Sequence, residues 1–494
     1  MMEIAAAALK NPPEYPAGRF DGRGIVVCAG GPRYFTCAYV LLHVLRRVLR
    51  CDLPVQVWHL GQGELSPAMQ RMLRGLDAEL VDAAALLGRY PAVIRNGWAL
   101  KPYAVAHSRF AEVLSLDADA LPLVAPEAVF DWPAYTAHGA LFWPDVVDLA
   151  AENPVWAAVG LAPRRVASFE TGQFVLDKRR CWAALAVTIA LNSESERLYR
   201  MIYGEKDSFL LAFLLRGQPF NLMPHRPLLF DADLIQLDPA GAPFVHHRTL
   251  SKYVLSGPNR PVFGDTLTPA MEAALAALRA DWTGIVFHPP AMSAAARDAA
   301  AALAGRRFVY QTSGAGQRMM VLDADFQVGV GRAEYEQHWA VIERDGGLVL
   351  QLFSATRLAI ELHPAGDGSW GGAAGVAPGF SARLAPEAAA ATMPVGGSAS
   401  ALVEALLTAA GLGAGFDESA ARELEAALGL LNRTYDDVPE ALMAAGQNMA
   451  AAWGIVLREL AGRLAAERDA RLRDTAPEPA PMDGLRPGFY HRIA

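Results

Sequence analysis

Three times in this chain two aspartates stand one residue apart, and the first pair has surroundings in which carboxylates do chemistry. Glu112-Val-Leu-Ser-Leu-Asp117-Ala-Asp119-Ala-Leu-Pro-Leu is an apolar run of strand length that ends in carboxylates at i and i+2. Side chains alternate along a strand, so Asp117 and Asp119 lean the same way where the strand runs out. In open α/β sheets ligands bind at that edge. Two carboxylates held together repel unless a cation lies between them, so the pair reads as a divalent-metal site. The plainer alternative is a turn with two solvated aspartates. The tripeptide itself does not discriminate, because Asp231-Ala-Asp233 and Asp323-Ala-Asp325 also close apolar runs. Asp323-Ala-Asp325 leads into the alternating Phe326-Gln-Val-Gly-Val-Gly331 and reads as a hairpin turn. Asp231-Ala-Asp233 lies in a loop-rich stretch and fits either role.

What separates the first pair is what precedes it. Gly24-Ile-Val-Val-Cys-Ala-Gly30 is a compact buried strand closing on Gly30-Gly31-Pro32, and Tyr34–Leu49 has helical apolar spacing. A strand at Val55–Leu60, a helix near Pro67–Leu76 and a strand at Ala78–Asp82 follow. This β-α-β-α-β order predicts a doubly wound α/β sheet with parallel strands. Gly30 and Gly31 would let backbone approach a phosphate, although a tight turn explains them equally and the pattern is not GxGxxG. Trp98–Phe110 reads as a helix that places Lys101 just before the acidic strand; a solvated helix lysine is the alternative.

Downstream, Glu170-Thr-Gly-Gln173 is a polar tetrapeptide leading into a strand at Gln173–Leu176, a layout that suits hydroxyl-rich ligands. A helix is expected over Lys178–Arg200. Gly204-Glu-Lys-Asp207 reads as a helix start, which leaves Asp207 either a capping residue or an active-site carboxylate. Phe244-Val-His246-His247-Arg248 puts adjacent histidines on a short strand; they face opposite ways, so at most one serves a given site.

The composition bounds the rest. The 494 residues exceed one ordinary domain, and 53% hydrophobic against 19% charged residues is ample for sizeable cores. A net charge of −8 disfavours nucleic acid as a partner. Cys28, Cys37, Cys51 and Cys181 lack metal or disulfide spacing and fit a reducing, cytoplasmic compartment. No apolar stretch approaches the roughly 18 residues of a membrane span, and Met1–Lys10 lacks the basic start of a signal peptide. The domain boundaries expected are a doubly wound domain over 20–258 and a helical connector over 259–304. A small antiparallel β domain over 305–374 and a linker over 375–399 follow. C-terminal helices over 400–472 carry an apolar stripe suited to self-association, and 473–494 is a flexible tail.

Residues from about 22 to 255 resemble a GT-A-type glycosyltransferase, and most nearly the fungal-type alpha-mannosyltransferase family that extends mannan chains, with its bacterial relatives. The resemblance rests on Gly97-Trp-Ala-Leu-Lys101-Pro, Leu116-Asp-Ala-Asp119, Glu170-Thr-Gly-Gln173, Gly204-Glu-Lys-Asp207 and His246-His247, in that order. It implies a GT-A-like mixed sheet and transfer from a GDP- or UDP-linked sugar to a glycan or other hydroxyl acceptor, with retention. By the same resemblance Asp117 would contact donor ribose or metal, and Asp119 would ligate Mn²⁺ or Mg²⁺ with His246 or His247. Lys101 would lie near the diphosphate, Glu170 and Gln173 would hold hydroxyls, and Asp207 would sit near the transferred sugar. Two other readings compete: a sugar-nucleotide nucleotidyltransferase on a similar core, and a non-catalytic carbohydrate- or partner-binding protein.

Overall fold

The computed structural model describes residues 10–231, 233–313, 316–373 and 381–387; the C-terminal helices and tail expected from the sequence lie outside them. Among the described residues the first sheet has strand order β3-β2-β1-β4-β7-β6-β8. Its parallel half is β1 (Arg23–Cys28), β2 (Val55–His59), β3 (Ala78–Asp82) and β4 (Glu112–Asp117). Antiparallel β7 (Val166–Asp177) and β6 (Ala140–Leu149) extend it, with β8 (Asn221–Leu222) at the edge. Alternate residues of β1 enter different cores: Ile25 and Val27 join one cluster, Val26 the other. A sheet buried on both faces explains why its strands read as unbroken apolar runs.

Helices cover both faces. α1 (Gly31–His43) starts earlier than the spacing predicts, with Pro32 in its first turn, and continues as a π-helical turn over Val44–Val48. α2 (Pro67–Arg74) is capped by Ser66, whose side chain accepts from the Met69 amide. α3 (Gly97–His107) is capped by Asn96, whose Oδ1 accepts the Ala99 amide at 2.9 Å. Pro102 falls in its second turn. The expected Lys178–Arg200 helix is α4 (Lys178–Ser193), followed by a separate short turn at Ser195–Leu198; α5 (Lys206–Arg216) begins where the sequence placed it.

A second, four-stranded sheet of order β5-β11-β10-β9 follows the acidic motif. It contains β5 (Ala120–Pro122), β9 (Leu228–Phe230), β10 (Asp233–Leu237) and β11 (Pro243–His247). The stretch read as a connector is divided between two cores. α6 (Thr268–Asp281) gives Met271 and Leu275 to the first core, whereas α7 (Ala294–Leu303) gives Ala296, Ala300 and Leu303 to the core of the antiparallel domain. That domain is a seven-stranded antiparallel sheet. One of its strands, Ser381–Pro386, lies in the stretch read as linker and pairs with Arg307–Thr312 and Trp370–Ala373. Its Ala-Arg-Leu-Ala alternation was masked by the Ala/Gly/Pro-rich residues around it.

Lys178, at the start of α4, is a buried amine without a carboxylate partner among the described residues. Its Nζ donates to the Ser108 carbonyl at 2.7 Å and lies 3.5 Å from the Phe20 ring centroid. Burial, with Arg19 nearby, pushes its pKa down to about 6. The folded state therefore binds fewer protons than the unfolded chain between about pH 6 and the usual lysine value. Lys178 is predicted to make stability rise with pH across that window. Urea midpoints of the wild type and Lys178→Met at pH 6.5 and pH 9 check this: the wild type should gain on the variant at the higher pH, and parallel shifts would refute it.

Candidate functional site

β4 delivers Asp117 to the carboxyl edge of the parallel strands, beside Cys28 of β1. The chain then steps across two residues and joins the other sheet, where β5 pairs with β11 in the register Ala120↔His247 and Leu121↔His246. This change of sheets is what brings a histidine from 130 residues later onto the acidic motif. His247 Nε2 lies 3.5 Å from Asp119 Oδ1 and 3.9 Å from Asp117 Oδ2. On the other side of the ring, Nδ1 is 3.1 Å from Glu170 Oε1, at ion-pair distance but outside hydrogen-bond alignment. Among the described residues, Asp117, Asp119 and His247 offer ligand atoms all within 4.8 Å of one another.

His246 takes no part in this cluster, and the strand alternation is the reason. Its Nε2 faces Asp233 Oδ2 at 3.3 Å, its Nδ1 accepts the Phe263 amide at 3.2 Å, and burial lowers its pKa. The second Asp-Ala-Asp motif thus has a structural role at Asp233, which also accepts from the Leu250 and Ser251 amides. That contact fixes the loop leading to Lys252. The third motif lines a cavity of about 630 Å³ remote from this cluster, where Asp325 binds Arg71 of α2 at 2.6 Å.

Cations surround the carboxylates. Lys101, expected as a diphosphate neighbour, is buried: its Nζ lies 2.7 Å from Asp117 Oδ1 and 2.5 Å from Glu205 Oε1, and donates to the Thr171 carbonyl at 3.0 Å. Burial alone would lower its pKa, yet Asp117 and Glu205 hold it charged, above the ordinary lysine range. Lys252 Nζ is 2.6 Å from Asp119 Oδ2. Burial would raise the Asp119 carboxyl, but Lys252 and His247 hold it well below the carboxylate range. Asp117 goes the other way: burial pushes it up to about 6 against the pull of Lys101. Burial would likewise lower His247, but Glu170 and Asp119 raise it well above an ordinary histidine.

Glu170-Thr-Gly-Gln173 lies within β7 and is not a loop leading into it; register shifts opposite β6 accommodate the polar residues. Glu170 accepts the Gly172 amide at 2.6 Å and is held down at about 2, burial being outweighed by His247. The Gln173 amide is fully buried, and neither its nitrogen nor its oxygen has a hydrogen-bond partner. An orphaned buried amide is costly, and a water or ligand that reached it would complete the bonding. Asp207 lies one layer deeper, accepting the Ser168 hydroxyl at 2.6 Å and the Phe169 amide at 3.2 Å. Burial raises its pKa. Gly30 is packed on its own chain, since a Cβ there would meet Glu64 Oε2 at 2.2 Å, whereas Gly31 has open space and a φ of +66°. Glu205, Lys252 and Thr171 went unassigned in the sequence reading; the charge following Gly204 and the lysine five residues after His247 were the available signals.

Residues 22–159 and 162–231 match the family model described as "Mannosyltransferase putative". The alpha-1,2-mannosyltransferases MNN21 and MNN22 of Candida albicans are 28% and 24% identical over 147 and 254 residues. These matches take in 27% and 40% of this chain. They span only 22% and 41% of the relatives' lengths. The first domain is thus similar to mannosyltransferases over most of its length. Its resemblance to the fungal alpha-mannosyltransferases is borne out. Among solved structures, the mannosyltransferase Ktr4p of S. cerevisiae is 9% identical with a TM-score of 0.31, over 44% of this chain and 75% of its own. The family match ends before β10, so His247 and Lys252 lie beyond it.

Gly172 is where the cluster is tightest. A Cβ there would meet His247 Nδ1 at 2.4 Å and Glu170 Oε1 at 2.8 Å. Gly172→Ala is predicted to push His247 away from Asp119 and weaken Mn²⁺ binding at least about tenfold, while thermal unfolding shows the domain still folded. Electron paramagnetic resonance titration with Mn²⁺ reads the affinity, and an unchanged value would contradict the geometry.

Proposed function

We propose that the domain transfers a hexose, mannose by analogy with its relatives' names, from a nucleoside-diphosphate sugar to a hydroxyl of a glycan acceptor. The observation that carries this reading is the Asp117–Asp119–His247 cluster at the carboxyl edge of the parallel strands. Two carboxylates and one imidazole within 4.8 Å suit a divalent ion, and the imidazole favours Mn²⁺ over Mg²⁺. Such an ion, when bound, supplies positive charge to the departing diphosphate.

The chain's own residues supply the rest. Lys101 and Lys252 flank the two aspartates and limit their mutual repulsion. The Gln173 amide, without a protein partner, is free to hydrogen-bond sugar hydroxyls. Glu170, kept ionised, is suited to stabilising positive character at the anomeric carbon and not to donating a proton. Asp207 holds Ser168 and the Phe169 amide, and so acts by fixing the strand on which Glu170 sits. The resemblance favours retention of anomeric configuration.

Asp119→Asn is expected to keep the fold and reduce transfer by about a hundredfold or more, on the scale of losing an electrostatic stabiliser of the leaving group. The check is a thermal-shift panel of GDP, UDP and their sugars with and without Mn²⁺, alongside donor turnover. Stabilisation by a nucleoside diphosphate that requires both Mn²⁺ and Asp119 supports the proposal. Full turnover in the variant sinks it, and pyrophosphate release from a nucleoside triphosphate would favour the nucleotidyltransferase reading.

A further inference from the structure

Glu170 has two neighbourhoods. One is His247 and the aspartates; the other is Lys206, whose charge bears on Glu170 and whose Nζ is paired with Asp145 of β6. Beyond that pair stands Tyr203, 48% exposed, with Lys206 Nζ 5.3 Å from its ring centroid. Trp98, in the first turn of α3, sets its ring 5.5 Å from that of Tyr203. The turn between them is fixed: Gly204 has a φ of +61°, and a Cβ there would meet Trp98 at 3.2 Å. A large aromatic ring is therefore held at the surface by its own backbone, beside a charged pair that leads to Glu170.

We infer that Tyr203, with Trp98 and the Lys206–Asp145 pair, forms a subsite for a neutral pyranose ring of the acceptor; the assignment to the acceptor rests on the function proposed above. The chemistry of the surface selects this ligand. A pyranose has one apolar C–H face, which stacks on an aromatic ring, and a hydroxyl edge, which pairs with ammonium donors and carboxylate acceptors. Lys206 and Asp145 neutralise each other, so the surface offers no net charge to a phosphate or carboxylate ligand. Glu170 is shared between the acidic cluster and this surface, with His247 of the cluster 3.1 Å away and Lys206 bearing on it electrostatically, which assigns the Tyr203 surface to the hydroxyl that receives the sugar.

The test uses the full chain with methyl α-D-mannopyranoside as probe, its binding followed by saturation-transfer NMR in wild type, Tyr203→Ala and Tyr203→Phe. Loss of one aromatic stacking contact is worth roughly tenfold in affinity. The alanine variant should bind the probe about tenfold more weakly, the phenylalanine variant like wild type, and Mn²⁺-dependent stabilisation by nucleoside diphosphate should be unchanged in both. Equal binding by wild type and Tyr203→Ala, no saturation transfer to wild type, or equal weakness of both variants would overturn the inference. If the nucleoside diphosphate gives no stabilisation while Tyr203→Ala still loses the probe, the proposed function fails and the sugar subsite stands.

Discussion

Like charge crowded at one strand edge is the constraint from which the site follows. Asp117, Asp119, Glu170 and Glu205 converge where β4 and β7 meet the second sheet, and unscreened carboxylates at such distances would either repel the chain apart or take up protons. Three cations from different elements meet them: Lys101 of α3 pairs with Asp117 and Glu205, His247 of β11 with Asp119 and Glu170, and Lys252 of the loop after it with Asp119. Burial opposes charge on Lys101, Asp119 and Glu170 alike, so charge on one side keeps charge on the other. The site thereby ties together α3, β4, β7, the turn before α5, and β11 with its following loop. A ligand that brings positive charge enters a region already organised around carboxylates.

The fold serves that convergence at two narrow points. The first is the transfer of the chain from β4 to β5, which moves Asp119 out of the parallel sheet and into register with β11. The second is Gly172, where the absence of a side chain lets the His247 imidazole lie against β7. Asp233 then works from behind, holding His246 and the Ser251 amide so that the loop carrying Lys252 returns toward Asp119. Three acidic motifs of identical sequence thus do three things: one forms the site, one braces it, one joins Arg71 at a remote cavity.

Much of this was legible because the residues concerned obey local rules. β1 to β4 read correctly since buried parallel strands are short, apolar and separated by helix-length segments, and α5 began at Lys206 because glycine and acidic residues precede it. Alternation along β11 already limited the site to one histidine, and pairing with β5 decided which. The tetrapeptide Glu170–Gln173 was read as leading into a strand that begins at Gln173, because its run of polar and small residues hides the strand's earlier start at Val166. Tertiary contacts override the low strand propensity of such residues when the polar atoms are met by Lys101, Gly172 and Glu205.

What the sequence hid is pairing across long separations. Glu205 stands 104 positions from Lys101, and Lys252 stands 133 from Asp119, yet each pair is in contact. Nothing in the local pattern of either lysine distinguishes it from a solvated helix or loop cation. Their meaning depends on burial, which only the assembled sheets create. The family match covers the strands that raise Asp117 and Asp119, while His247 and Lys252 come from a later strand and the loop after it. Residues that supply the carboxylates are set by a local strand-end pattern. Those that supply the compensating charge need only reach the same point in space.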